Sequence, residues 1–161
     1  MTQRRLSLWL PPLVVALVIF CLSTDLGSEQ NTHGTLFRLL TTVWPGIGGL
    51  SPEIAGTIEF WVRKCAHVTV YFWLGSFVFR ASRGTWPEVG GAFGRALLLV
   101  VLYAASDEYH QSFVPTRTSS IVDVGFDTLG GVLGMGAYGL WAMLRGRKPS
   151  SRRLTPEPNE A

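Results

Sequence analysis

Long apolar blocks alternate along this chain with short segments that hold nearly all of its Lys and Arg. The first block runs from Leu6 to Leu22, the second from Phe60 to Phe79, the third from Ala92 to Phe113 and the fourth from Ser120 to Leu144. Each approaches the ~20 residues a helix needs to cross a ~30 Å hydrocarbon layer. The pattern therefore predicts an all-α fold, an integral membrane bundle of four transmembrane helices. Pro11 and Pro12 fall near the start of the first span, where a membrane helix tolerates them. Between the first two spans, Leu36, Leu39, Leu40 and Val43 recur at helical spacing and end at Pro45, which predicts a short external amphipathic helix. The third and fourth blocks reach spanning length only when their charged residues are counted in, and that exception locates the chemistry.

Composition agrees with a bilayer. Of 161 residues, 47% are hydrophobic and only 16% charged, against roughly a quarter charged in soluble domains. One compact domain is expected over residues 1–145, followed by a disordered, basic cytoplasmic tail over 146–161. The formal charge of +3 is clustered at the ends of the apolar blocks, where basic residues set topology rather than bind nucleic acid. With the N-terminus inside, Arg4, Arg5, Arg80, Arg83, Arg95, Arg145, Arg147, Lys148, Arg152 and Arg153 are cytoplasmic; Arg38, Arg63, Lys64 and Arg117 are external. The positive-inside rule selects this N-in/C-in arrangement. Trp9, Trp86 and Trp141 then fall near the inner interface, and Trp44 and Trp61 near the outer one. Cys21 and Cys65 form neither a disulfide framework nor a metal motif and read as small apolar residues. No small-residue cleavage site follows the first block, so it reads as a retained helix rather than a signal peptide.

Charged residues inside spans are costly and face a protein interior or a water-filled cavity. At about 1.5 Å rise per residue, Asp107 lies about 18 Å from Arg95, His67 about 20 Å from Arg80 and Asp127 about 27 Å from Arg145. Three spans thus carry ionisable groups in the outer half of the membrane. Lys64, His67 and Tyr71 share one helical face; Asp107, His110 and Gln111 share another; Asp123 and Asp127 are one turn apart. The expected arrangement turns these faces, with Glu108 and Arg117, onto a shared cavity open to the outside. His67, Asp107 and His110 are expected to meet across the second and third helices. Ser120 and Asp123 have capping-box spacing, which gives Asp123 an alternative role at the fourth helix N-terminus. Gly125, Gly130, Gly131, Gly134, Gly136 and Gly139 let the fourth helix pack closely, within the monomer or across a homodimer.

The stretches RKCAHVTVYF (63–72) and SDEYHQSFVPTR (106–117), followed by Asp123, Asp127 and a glycine-rich helix, resemble the VanZ-like membrane protein family. Thr116 stands where the family's turn has glycine, and Asp127 where asparagine is common. The resemblance implies a bacterial cytoplasmic-membrane protein of a family linked to low-level glycopeptide (teicoplanin) resistance.

Three readings of the cluster follow from its chemistry. Lys64, Arg117 and protonated histidines can attract an anionic envelope ligand, such as a lipid headgroup or cell-wall precursor, while Asp107, Glu108 and Asp123 orient its hydroxyls or amines. Asp107, His110, His67 and Asp127 can instead hold a divalent metal or share acid–base work in a hydrolase or transferase, although DEYHQ lacks the paired histidines of HExxH zincins. In the third, the charges pair only with one another and lock the helices together. No residue pattern names a cofactor.

Overall fold

A computed structural model of the chain describes residues 2–24, 39, 41–44, 46, 49, 51–86, 89–117 and 119–146. Among them the chain is all-α, with four long helices: α1 (Thr2–Leu22), α2 (Pro52–Thr85), α3 (Val89–Gln111) and α4 (Ile121–Gly146). The first two apolar blocks lie within α1 and α2; the third overruns the end of α3 by Ser112 and Phe113, and the fourth begins one residue before α4, at Ser120. The external amphipathic helix expected around Leu36–Val43 falls largely outside the described residues, as does the tail beyond Gly146. Pro11 and Pro12 lie inside α1 rather than at its start, because the helix already begins at Thr2.

One described helix segment, Arg5–Leu22, is long and apolar enough by itself to cross a membrane. The Lys, His, Asp and Glu of α2, α3 and α4 dilute the hydropathy of the others. Burial runs opposite to a soluble domain. Leu6, Leu10, Leu13 and Leu17 of α1, Leu98 and Leu102 of α3, and Leu129, Leu133 and Leu140 of α4 are exposed. Asp107, Glu108, Gln111 and Asp127 are buried. Apolar surface on this scale marks contact with a membrane or a partner protein.

The interior core is small: Ile19, Tyr71, Leu74, Val78, Ala96, Val100, Ala104 and Met135. Alanine and glycine bring the helices close. A Cβ at Gly130 would meet the carbonyl oxygen of Val68, one at Gly75 the backbone of Gly131, and one at Gly134 the carbonyl oxygen of Phe72. The Ser76 hydroxyl completes the contact by donating to the Gly134 carbonyl at 3.0 Å. Three of the six glycines noted in α4 are therefore used within the monomer, whereas Gly125 and Gly136 face open space.

The contacts also fix direction. Gly130 on Val68 and Gly134 on Phe72 advance together along both chains, so α2 and α4 run parallel. Ser23 on Asp107 and Ala16 on Tyr103 give the same relation for α1 and α3. Leu8 meets Gly84 and Trp9 donates to Thr85 at 3.0 Å, so α1 opposes α2. The result is an up-down-up-down bundle. Trp9, Trp86 and Trp141 lie at one end, with the Arg95 guanidinium 5.4 Å from the Trp86 ring and that of Arg145 4.4 Å from Trp141. The polar residues gather at the other.

Candidate functional site

The glycine seam sets the register of the polar end. With Gly130 against Val68, the turn before it on α4 brings Asp127 opposite His67, and the next brings Asp123 opposite Lys64. His67 Nδ1 lies 3.3 Å from Asp127 Oδ1, and Lys64 donates to Asp123. Counting from Arg145 placed Asp127 several ångströms closer to the surface than His67. The packed seam, and not the distance from the last arginine, decides its level.

The site has two layers. The outer one is an open cavity of about 440 Å³ lined by Phe60, Arg63, Lys64, His67, Gln111, Arg117, Ser120, Val122 and Asp123. Among the described residues its permanent charges are three cations and one carboxylate. The Lys64 ammonium sits over the Phe60 and Phe126 rings at 5.1 and 5.9 Å, which holds its stem against α4. Arg117 donates to the Leu22 carbonyl at 2.6 Å and so ties the α3–α4 loop to the end of α1. Burial, and then the like charge of Arg63, push the Arg117 guanidinium below its ordinary pKa, against the pull of Asp107, Glu108 and Asp123.

Beneath lies a floor of three buried carboxylates. Asp107 accepts from Ser23 Oγ at 2.5 Å, Gln111 Nε2 at 3.0 Å and Tyr71 Oη at 3.4 Å. Glu108 Oε2 accepts the Ser120 backbone N–H at 2.8 Å. Carboxylate oxygens of Asp107, Glu108 and Asp127 lie within 4.8 Å of one another. Glu108 Oε1 and Asp127 Oδ2 are buried without a hydrogen-bond partner among the described residues.

Nine of the ten candidate residues line the cavity or build its floor: Lys64, His67, Tyr71, Asp107, Glu108, Gln111, Arg117, Asp123 and Asp127. His110 lies at the same end but faces away from both. It turns toward α1 and stacks on Phe20 at 4.7 Å between ring centroids, with Nδ1 buried and partnerless among the described residues. No direct hydrogen bond joins His67 to Asp107 or His110 among the described residues: His67 pairs with Asp127, and Asp107 with Ser23, Gln111 and Tyr71. The four-residue metal set of Asp107, His110, His67 and Asp127 is not assembled either; among the described residues the group that comes together is Asp107, Glu108 and Asp127, with neither histidine.

The capping box also differs. Ser120 caps α4 by accepting the Val122 N–H at 3.2 Å, but its own N–H goes to Glu108 from α3, leaving Asp123 to Lys64. Ser23 and Arg63 are partners that sequence reasoning missed. Ser23 is the first polar residue after the apolar run of α1, but nothing in its spacing ties it to Asp107. Arg63 precedes Lys64 on the turn facing the cavity, a signal that charge counting alone had assigned to topology.

Nothing among curated proteins or solved structures matches the chain. A protein-family model, VanZ/LLP1, matches residues 8–142, which covers α2 and α3, most of α1 and α4, and both layers of the site. The match extends well beyond the two sequence stretches that carry the resemblance, and it covers most of the chain. The family is membrane-associated and linked in general to teicoplanin resistance. The chain belongs to the VanZ-like family.

Proposed function

We propose that all four helices cross the bacterial cytoplasmic membrane with both termini inside, and that the cavity binds an anionic, phosphate-bearing headgroup from the outer leaflet. The observation that carries this reading is the lining: among the described residues, Arg63, Lys64, Arg117 and His67 surround one open cavity with one carboxylate, Asp123. Like charges crowded at a half-buried mouth are relieved by an anion, and guanidinium groups match phosphate oxygens two at a time. The exposed leucines on α1, α3 and α4 and the Arg–Trp contacts at the opposite end suit a bundle set in lipid with that end at the cytoplasmic interface. The cavity then opens outward, where phospholipid headgroups and lipid-linked cell-wall precursors both present phosphate.

Topology is tested with reporter fusions: a C-terminal reporter should behave as cytoplasmic and one near Asn31 as external. A C-terminal reporter active only outside the cell would overturn the outward-facing site. The ligand is tested with the full chain in nanodiscs, offered phosphatidylglycerol or an undecaprenyl diphosphate, with bound lipid read by native mass spectrometry. Arg117→Ala and Lys64→Ala should lose the lipid while the chain stays folded. Retention of the diphosphate alone points to a precursor, and equal retention of both points to a general headgroup site. No retained lipid in the unmodified chain refutes the reading.

A further inference from the structure

We propose that Asp107, Glu108 and Asp127 together bind one hard divalent cation beneath the cavity. This goes beyond the anion site, since none of the three is a lining residue of the mouth.

Three carboxylates from two helices converge there in the least exposed part of the site; Asp127 is 0% and Glu108 6% exposed. Buried charges are ordinarily paired or coordinate metals. Each carboxylate here is held at one point and offers acceptor capacity at another. Asp127 Oδ1 is fixed by His67, leaving Oδ2 without a partner among the described residues. Glu108 Oε2 is fixed by the Ser120 N–H, leaving Oε1 likewise without a partner among the described residues. Asp107 is oriented by Ser23, Gln111 and Tyr71, and a carboxylate has about four lone-pair sites. Hydrogen bonds that orient ligating groups from behind are the usual companions of a metal site.

The donor set selects the ion. Oxygen ligands alone suit Mg²⁺, Ca²⁺ or Mn²⁺ rather than the softer metals that prefer imidazole or thiolate. Two oxygens sharing a Ca²⁺ ion at 2.3–2.6 Å are at most about 5 Å apart. Oxygens within 4.8 Å of one another meet that pairwise bound. Lys64 is committed to Asp123. Arg117 contributes favourable charge to Asp107 and Glu108, but it leaves Glu108 Oε1 and Asp127 Oδ2 without a donor.

The test uses the full chain in nanodiscs of uncharged lipid, stripped with EDTA and titrated with Mn²⁺ by electron paramagnetic resonance. Ca²⁺ and Mg²⁺ serve as competitors, and thermal melting is followed in parallel. The unmodified chain should bind Mn²⁺ saturably, one per chain, lose it to Ca²⁺ and melt higher with metal than with EDTA. Glu108→Gln and Asp127→Asn should weaken binding by at least about tenfold and abolish the metal-dependent melting shift. Both keep side-chain volume and remove a buried charge, so without metal they should melt no lower than the stripped unmodified chain. Glu53→Gln, which alters an exposed carboxylate in the first turn of α2, should bind as the unmodified chain does. Absence of both saturable Mn²⁺ binding and a melting shift in the unmodified chain refutes the site, whatever the variants do. Loss in Asp123→Asn equal to that in Glu108→Gln would put the cation at the mouth and refute it equally.

Discussion

Replacing Gly134 with alanine tests whether the glycine seam is what aligns the site. The added Cβ would meet the Phe72 carbonyl oxygen inside any normal contact distance, with the Phe72 carbonyl carbon and Ser76 Oγ both at 2.8 Å. The first two are backbone atoms and cannot rotate away, so α4 must move from α2 by more than half an ångström. Such a shift takes the Ser76–Gly134 hydrogen bond from 3.0 Å toward the 3.5 Å limit. It also takes the His67–Asp127 contact, already at 3.3 Å, past the range of a hydrogen bond. Overpacking costs about 1–3 kcal/mol, a lost hydrogen bond about 1 kcal/mol, and the better helix propensity of alanine returns about 1 kcal/mol. The expected net loss is about 1–3 kcal/mol. Gly136→Ala, two residues on and facing open space, should be neutral or gain up to about 1 kcal/mol. Thermal melting of the two variants in one detergent measures the difference, and lipid retention measures the effect on the site. Equal melting of Gly134→Ala and Gly136→Ala would refute the seam, and intact lipid binding in a destabilised Gly134→Ala would refute its role in aligning the site.

Ser23→Ala removes the donor to Asp107 Oδ1 and should cost about 1–3 kcal/mol in melting experiments, as expected for a buried acceptor left unpaired. Tyr71→Phe removes a long bond at 3.4 Å to an oxygen that Gln111 also serves, so its cost should stay below about 1 kcal/mol. His110→Ala should leave lipid retention unchanged, because the ring stacks on Phe20 away from the cavity lining; loss of lipid with unchanged melting would return His110 to the site.

Block length predicted α1–α4, because an apolar block long enough to cross a bilayer leaves few alternatives to a helix. The polar faces were equally legible: Lys64, His67 and Tyr71 repeat at one-turn spacing, and leaving such residues in hydrocarbon is costly. Pairing across helices was less legible. It depends on register to within one turn, and the register is set by backbone-to-backbone contacts of Gly75, Gly130 and Gly134. Glycine spacing signals close approach without naming the facing residue. His110 shows the cost: its i+3 spacing from Asp107 suggested a shared face, yet its side chain stacks on Phe20 of α1. The Glu108–Ser120 bond crosses from one helix to the cap of the next, a contact that the capping-box pattern, being local, assigned to Asp123.

The two layers differ in what the bundle requires of them. Lys64–Asp123 joins α2 to α4 at the half-exposed mouth, where a pair contributes modestly. Cohesion between those helices comes from the glycine seam and from Leu74, Val78 and Met135 of the core. The floor has a different character. Glu108 Oε1 and Asp127 Oδ2 hold nothing among the described residues, and three crowded carboxylates repel one another in a dry site. Apolar residues in place of a buried charged network are often neutral or stabilising, so a bundle selected for stability alone has no use for this arrangement. A cation beneath a cationic mouth gives it one. The ion would offset two of the floor's three negative charges, so a phosphate held above it by Lys64 and Arg117 would be repelled less from below. Cation and anion would then bind cooperatively, each raising the affinity of the other by the same factor.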